Sequence, residues 1–147
     1  GMMAMAYGSV YVANVSLANP AQCVKAFLEA EAHDGPSLII AYSHCIAHGI
    51  DMTSGVDAQK KAVNSGYWPL YRYNPALAAE GKNPLQLDSR APSIGFDEYV
   101  GNENRYRMLK KANPKEAEVL MKKAAAWSKA HFAYYQKLAS LNFGDEK

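Results

Sequence analysis

The sequence predicts an α/β protein organised around a parallel βαβ unit, and three observations carry that prediction. Val10 to Leu17 is an almost unbroken apolar, β-rich run, Leu38 to Tyr42 is a second, and a helix-patterned segment lies between them. In the first run Asn14 and Ser16 are the only polar residues, as in a strand covered on both faces. Asn19 then offers a helix cap, with Pro20 at the first helical position, where a missing N–H costs nothing. Val24, Phe27 and Leu28 follow at helical spacing, and Asp34-Gly35-Pro36 ends the segment. Strand, helix and strand within about 35 residues make a βαβ unit with parallel strands and a right-handed crossover. Two strands cannot bury both faces by themselves, so later strands or residues outside this sequence must complete the sheet.

Asp57 to Asn64 reads as a short helix ended near Ser65-Gly66. From Tyr67 to Phe96 the chain changes character: Pro69, Pro75, Pro84 and Pro92 interrupt it, leaving brief β-like pieces at Leu70 to Tyr73 and Leu85 to Leu87. A long irregular stretch is uncommon inside a compact domain, and this Pro-rich arm is expected to pack on a neighbour. Asp97 to Ala112 reads as one helix, and Pro114 starts another that reaches Leu141. In that last helix Ala117, Leu120, Ala124, Trp127, His131, Tyr134, Leu138 and Leu141 recur at alternating spacings of three and four. A seam of roughly 40 Å exceeds what the βαβ unit can cover. It predicts that Leu120, Trp127, Tyr134 and Leu138 are buried against something outside that unit, and that the chain forms a twofold homodimer. The expected organisation is one domain fragment over 1–147: a βαβ part (1–66), the irregular arm (67–96) and a helical end (97–147).

At 147 residues and 49% hydrophobic content the chain can bury one sizeable core. No run approaches the ~18 apolar residues of a membrane span. The opening Gly1-Met2-Met3-Ala4-Met5 lacks the parts of a signal peptide, so a soluble, cytoplasmic protein is expected. Cys23 and Cys45 are too few for a disulfide framework. Net charge is only +2, yet Arg105 to Lys137 holds nine Lys/Arg against Glu116 and Glu118. That basic end is either a solvated helical surface or a face for an acidic partner or domain.

Cys45 is the residue that most needs explaining. It stands just past the carboxyl end of the second predicted strand, where α/β sheets meet their ligands, within His44-Cys45-Ile46-Ala47-His48. A zinc site needs three or four ligands, and no second Cys/His pair with suitable spacing occurs. From the residues alone, Cys45 is either a small buried hydrophobe, the default for a lone cysteine at a strand end, or part of a local zinc cluster short of ligands. Cys23 fits as helix filler and His131 as a packing histidine. Tyr67, Trp68, Tyr71 and Tyr73 have only Arg72 as a basic companion, which argues for domain packing and against a nucleic-acid platform. No dinucleotide fingerprint, Walker loop, nucleophile elbow or metalloprotease motif is present.

Ser37 to Ile50, Gly66-Tyr67-Trp68-Pro69-Leu70-Tyr71-Arg72-Tyr73 and Ala79 to Ser89, taken together and in order, closely resemble the carboxyl-terminal part of the pyruvate:ferredoxin (flavodoxin) oxidoreductases. The resemblance runs from about Met2 to Leu141. It implies a partial three-layer thiamine-diphosphate-binding-type fold, cut from an enzyme that oxidatively decarboxylates pyruvate with coenzyme A to acetyl-CoA. The implied cofactors of the full enzyme are thiamine diphosphate, magnesium and 4Fe-4S clusters. The implied partners are the remaining domains of the same enzyme and ferredoxin or flavodoxin. Cys45 matches the cysteine that gives the fourth thiolate to the cluster nearest the thiamine, three others coming from a ferredoxin-like domain. His44 and His48 receive no ligand role. The family's Gly-Asp-Gly motif and Asn-rich element, which hold magnesium and diphosphate, are missing from these residues and are expected upstream. The piece by itself is therefore expected to be inactive and without cofactor. The alternative is a non-catalytic interaction module derived from the same fold.

Overall fold

A single helical turn, α1 (Met2–Met5), leads into β1 (Tyr11–Val15) in the computed structural model, which describes residues 1–143. All five β1 residues are buried, as the unbroken apolar run requires. Helix α2 (Pro20–Ala32) starts where the sequence predicts: Asn19 Oδ1 accepts the Gln22 N–H at 3.1 Å, and Pro20 occupies the first turn. It ends before Asp34-Gly35-Pro36, and β2 (Ser37–Ala41) then pairs with β1 in parallel, Tyr11 opposite Ser37 through Val15 opposite Ala41. Two short 3-10 turns, Ile46–His48 and Met52–Ser54, precede α3 (Gly55–Asn64).

The sheet is completed from within the chain, by the arm that was expected to pack on a neighbour. β3 (Tyr71–Tyr73), the short α4 (Ala76–Ala79) and β4 (Leu85–Leu87) come from it, and the strand order is β2-β1-β3-β4. β3 runs antiparallel to β1, Asn14 opposite Tyr71, and β4 antiparallel to β3, Tyr71 opposite Leu87. The prolines do not prevent this because they flank the three-residue strands, where no ladder N–H is needed. Leu70, Tyr71 and Leu85 are all buried. Arg72 on β3 clamps the assembly: its Nε and Nη2 reach Asp88 at 2.9 and 2.8 Å, and its Nη1 pairs with Glu29 of α2.

Beyond the arm the expected single helix over 97–112 is two, α5 (Phe96–Val100) and α6 (Asn104–Ala112). The break falls at Gly101-Asn102-Glu103, where the Asn102 side-chain amide turns back to donate to Glu98 O at 3.2 Å. Helix α7 (Pro114–Ala139) begins at the predicted Pro114 after an Asn113 cap and ends two residues before Leu141.

Alternation along β1 divides the core. Tyr11, Ala13 and Val15 face Ala26 of α2, whereas Val12 packs with Met5, Tyr71, Leu85 and Tyr135 of α7 on the opposite face. The Val, Leu and Met side chains among them contribute about 1.5–3 kcal/mol each by burial. A further cluster, Ala62, Phe96, Tyr99, Val100 and Met121, joins α3, α5 and α7. Helix α7 thus buries Ala117, Met121, Ser128, Phe132 and Tyr135 in its own chain. The predicted seam lies on its flank instead: Leu120, Trp127 and Tyr134 are 41, 56 and 47% exposed, and Leu138 is half-buried.

Candidate functional site

The last sheet-like bond beyond β2 is Tyr42 N–H to Val15 O at 3.0 Å, after which the chain leaves the sheet. Cys45 then caps the first 3-10 turn: its Sγ accepts the Ala47 N–H at 3.4 Å and its carbonyl accepts the His48 N–H at 2.9 Å. The Cys45 side chain is exposed, as expected for a residue past the strand end, while Cys23 on α2 is half-buried. Among the described residues no group of three or more His, Cys, Asp or Glu side chains is arranged to hold a metal ion. Cys45 is thus a lone exposed thiol.

His44 beside it is a structural fastener. His44 Nδ1 lies 2.9 Å from Gln59 Nε2, and Gln59 Oε1 accepts from Ser16 Oγ at 2.7 Å and Leu17 N–H at 3.1 Å. Since the Gln59 oxygen is taken by two donors, its amide nitrogen faces His44, and Nδ1 is the accepting ring nitrogen. Gln59 is buried on α3, so one side chain ties together the carboxyl ends of both parallel strands. A methyl on Gly55 would come within 2.2 Å of His44 Nε2, which explains glycine at the start of α3. On the other side, Gly49 adopts a left-handed φ of 67° and its carbonyl accepts the Asn104 N–H of α6 at 3.3 Å. His48 Nδ1 faces Glu103 Oε1 at 4.0 Å.

Behind this turn stands an aromatic layer. Trp68 Nε1 donates to Val15 O at 3.0 Å and packs edge-on to Tyr42 at 5.2 Å, and the Tyr42 and Tyr99 hydroxyls meet at 3.1 Å. Burial pushes both phenols above their ordinary range, keeping them neutral. Tyr67 lies against Tyr99 and Phe96. The aromatic group in 67–73 therefore packs, as the scarcity of basic companions indicated. His131 stacks on Trp127 at 4.6 Å, and burial holds its pKa down, so it too belongs to packing.

Beside Gly49 opens a cleft of about 670 Å³ whose lining includes Asp51, Asp57, Lys61 and Arg107. Both charge signs share it, so it favours no single ion. Glu103, which faces the Cys45 turn, and Gln59, which bonds His44, were not singled out in the sequence. The only local hint was the Gly-Asn-Glu interruption at 101–103.

The chain is thus an α/β protein built on a parallel β1–β2 pair, with one outward cysteine beyond β2. No family model matches the chain. Relatives do: it is 57% identical over 141 residues to a pyruvate-flavodoxin oxidoreductase of Nostoc sp., and 54% identical over 141 residues to that of Trichormus variabilis. It is 56% identical over 140 residues to a pyruvate:ferredoxin oxidoreductase of Moorella thermoacetica. Each alignment takes in 95% of this chain and 12% of the relative. The chain is homologous to one segment of the pyruvate:flavodoxin and pyruvate:ferredoxin oxidoreductases, and it spans about an eighth of their length.

The residues present answer differently to the two kinds of cofactor the resemblance implies. An exposed thiol suits one corner of a four-thiolate iron–sulfur cluster. Among the described residues no carboxylates are grouped to hold the magnesium of thiamine diphosphate, and the sequence has no Gly-Asp-Gly loop.

Proposed function

We propose that this chain is the part of a pyruvate oxidoreductase that supplies Cys45 as one thiolate ligand of a 4Fe-4S cluster and packs the surrounding domains together. The observation that carries the reading is the exposed Cys45 sulfur, capping a turn past a parallel strand in a sequence more than half identical to enzymes so named. The full enzyme would convert pyruvate and coenzyme A to acetyl-CoA and carbon dioxide, releasing two electrons to ferredoxin or flavodoxin. When bound, thiamine diphosphate supplies the carbanion chemistry and the clusters carry the electrons one at a time. The chain's own contribution is positional. Gln59 and the Gly49–Asn104 contact fix the turn, the aromatic layer keeps water from the sheet behind it, and Cys45 presents its sulfur outward. The helix layers on both sheet faces are consistent with part of a thiamine-diphosphate-binding-type fold. The exposed flank at Leu120, Trp127 and Tyr134 is read as contact surface for the remaining domains of the same enzyme.

The test is Cys45→Ser in the full-length enzyme, with iron analysis and electron transfer to ferredoxin or flavodoxin measured side by side. The reading expects iron to fall and transfer to slow while decarboxylation is less affected, since the thiamine chemistry rests on other residues. Unchanged iron together with unchanged transfer removes Cys45 from the site.

A further inference from the structure

Glu103 is 1% exposed, at the break between α5 and α6. It stands at the cap position of α6 but makes no side-chain bond to that helix's N–H groups. A buried carboxylate costs several kcal/mol unless neighbours compensate. One neighbour does: Arg105 Nε donates to Glu103 Oε2 at 2.5 Å, its guanidinium lying over the Tyr106 ring. The other carboxylate oxygen points at the Cys45 turn. His48 Nδ1 is 4.0 Å from Glu103 Oε1, is itself buried, and has no hydrogen-bond partner among the described residues. The neighbouring backbone closes the same contact, because Gly49 O accepts the Asn104 N–H and a methyl on Gly49 would meet Asn104 Cβ at 2.4 Å.

We propose that Glu103 is the positioning residue of the Cys45 turn: braced by Arg105, its buried carboxylate holds His48 and so fixes the direction in which Cys45 presents its sulfur to a metal centre. The proposal rests on the reading of Cys45 as a thiolate ligand. Its physical logic is that a ligand on a short 3-10 turn is precise only if the turn is held from both sides. Gln59 holds the His44 side, and Glu103 holds the His48 side.

Amide hydrogen exchange of the chain tests this, with the β1 amides as internal reference. In the parent, the His48 and Gly49 N–H groups bond to Cys45 O and Ile46 O, both at 2.9 Å. Glu103→Ala is expected to speed exchange at these two amides by about tenfold while β1 stays protected. His48→Ala should do the same, and the double variant should add nothing to either single change, the signature of one shared interaction. Glu103→Gln, which keeps the shape and part of the hydrogen bonding, should recover most of the protection. Should Glu103→Ala fail to fold, His48→Ala alone decides, since exchange must rise at Gly49 and Asn104 and not in β1. Unchanged exchange at the turn, an equal rise throughout the chain, or additive effects in the double variant would overturn the proposal. Unchanged iron together with unchanged electron transfer in Cys45→Ser overturns the ligand reading instead and leaves this anchoring untouched, so the two failures are distinguishable.

Discussion

β1 and β2 are two apolar strands of five residues, paired in perfect register, yet one is wholly buried and the other half-open. Their sequences do not account for this, since Ser-Leu-Ile-Ile-Ala is as apolar as Tyr-Val-Ala-Asn-Val. Their neighbours do. β1 has strands on both edges, α2 on one face and α7 side chains on the other, while β2 ends the sheet and Leu38 is 40% exposed. Burial is thus conferred by what the chain wraps around a strand, and a parallel edge strand with apolar residues on both faces is one whose covering lies elsewhere.

The sharpest way to break the comparison is to place the same charge at register partners. Val12→Asp in β1 is expected to abolish folding, a loss of more than about 4 kcal/mol, whereas Leu38→Asp directly opposite should cost under about 1 kcal/mol. Urea unfolding followed by circular dichroism measures both, and equal losses would mean that β2 is as enclosed as β1. Next in size is Arg72→Leu. Arg72 is buried beside Asp88 and Glu29, so removing it strands two carboxylates and should cost about 3 kcal/mol. Ser37→Ala on β2, which removes only an exposed bond to Ala30 O, should stay within about 0.5 kcal/mol of the parent. Smallest near neutrality, and growing with pH, is the effect of the buried tyrosines, which sit on β1, β3 and α5 and not on β2. Burial raises the pKa of Tyr11, Tyr71 and Tyr99, so the folded chain keeps protons that the unfolded chain releases. Their stabilisation is complete below about pH 10 and is lost as pH rises past it, by about 1.4 kcal/mol per tyrosine per pH unit. A melting temperature unchanged between pH 9 and pH 11 would contradict that sign.

Much of this architecture is local chemistry and was legible. The Asn19-Pro20 and Asn113-Pro114 starts, the Asp-Gly-Pro stop and the buried run of β1 each follow from residues within a few positions. What escaped reading is non-local. β3 and β4 were legible as brief β-like pieces, but their pairing was not: Tyr71 meets Asn14 and Leu87, contacts that no periodicity announces. On α7 the predicted seam shares Ala117 with the face that enters the core, but the rest of that face, Met121, Ser128, Phe132 and Tyr135, lies one position on from Leu120, Trp127, His131 and Tyr134. At the site, Cys45 was visible because it ends an apolar run. Glu103 was not, since its partner His48 lies far back along the chain and the residue looks like one more surface carboxylate.

Gln59 has a mechanical meaning as well. By bonding Ser16, Leu17 and His44 at once, it acts as a strut between the ends of two strands, so that neither end can shift without carrying the other. In the proposed role of Cys45 as a cluster ligand, such a stiff mount at the strand ends would limit how far its sulfur moves as the cluster's charge changes.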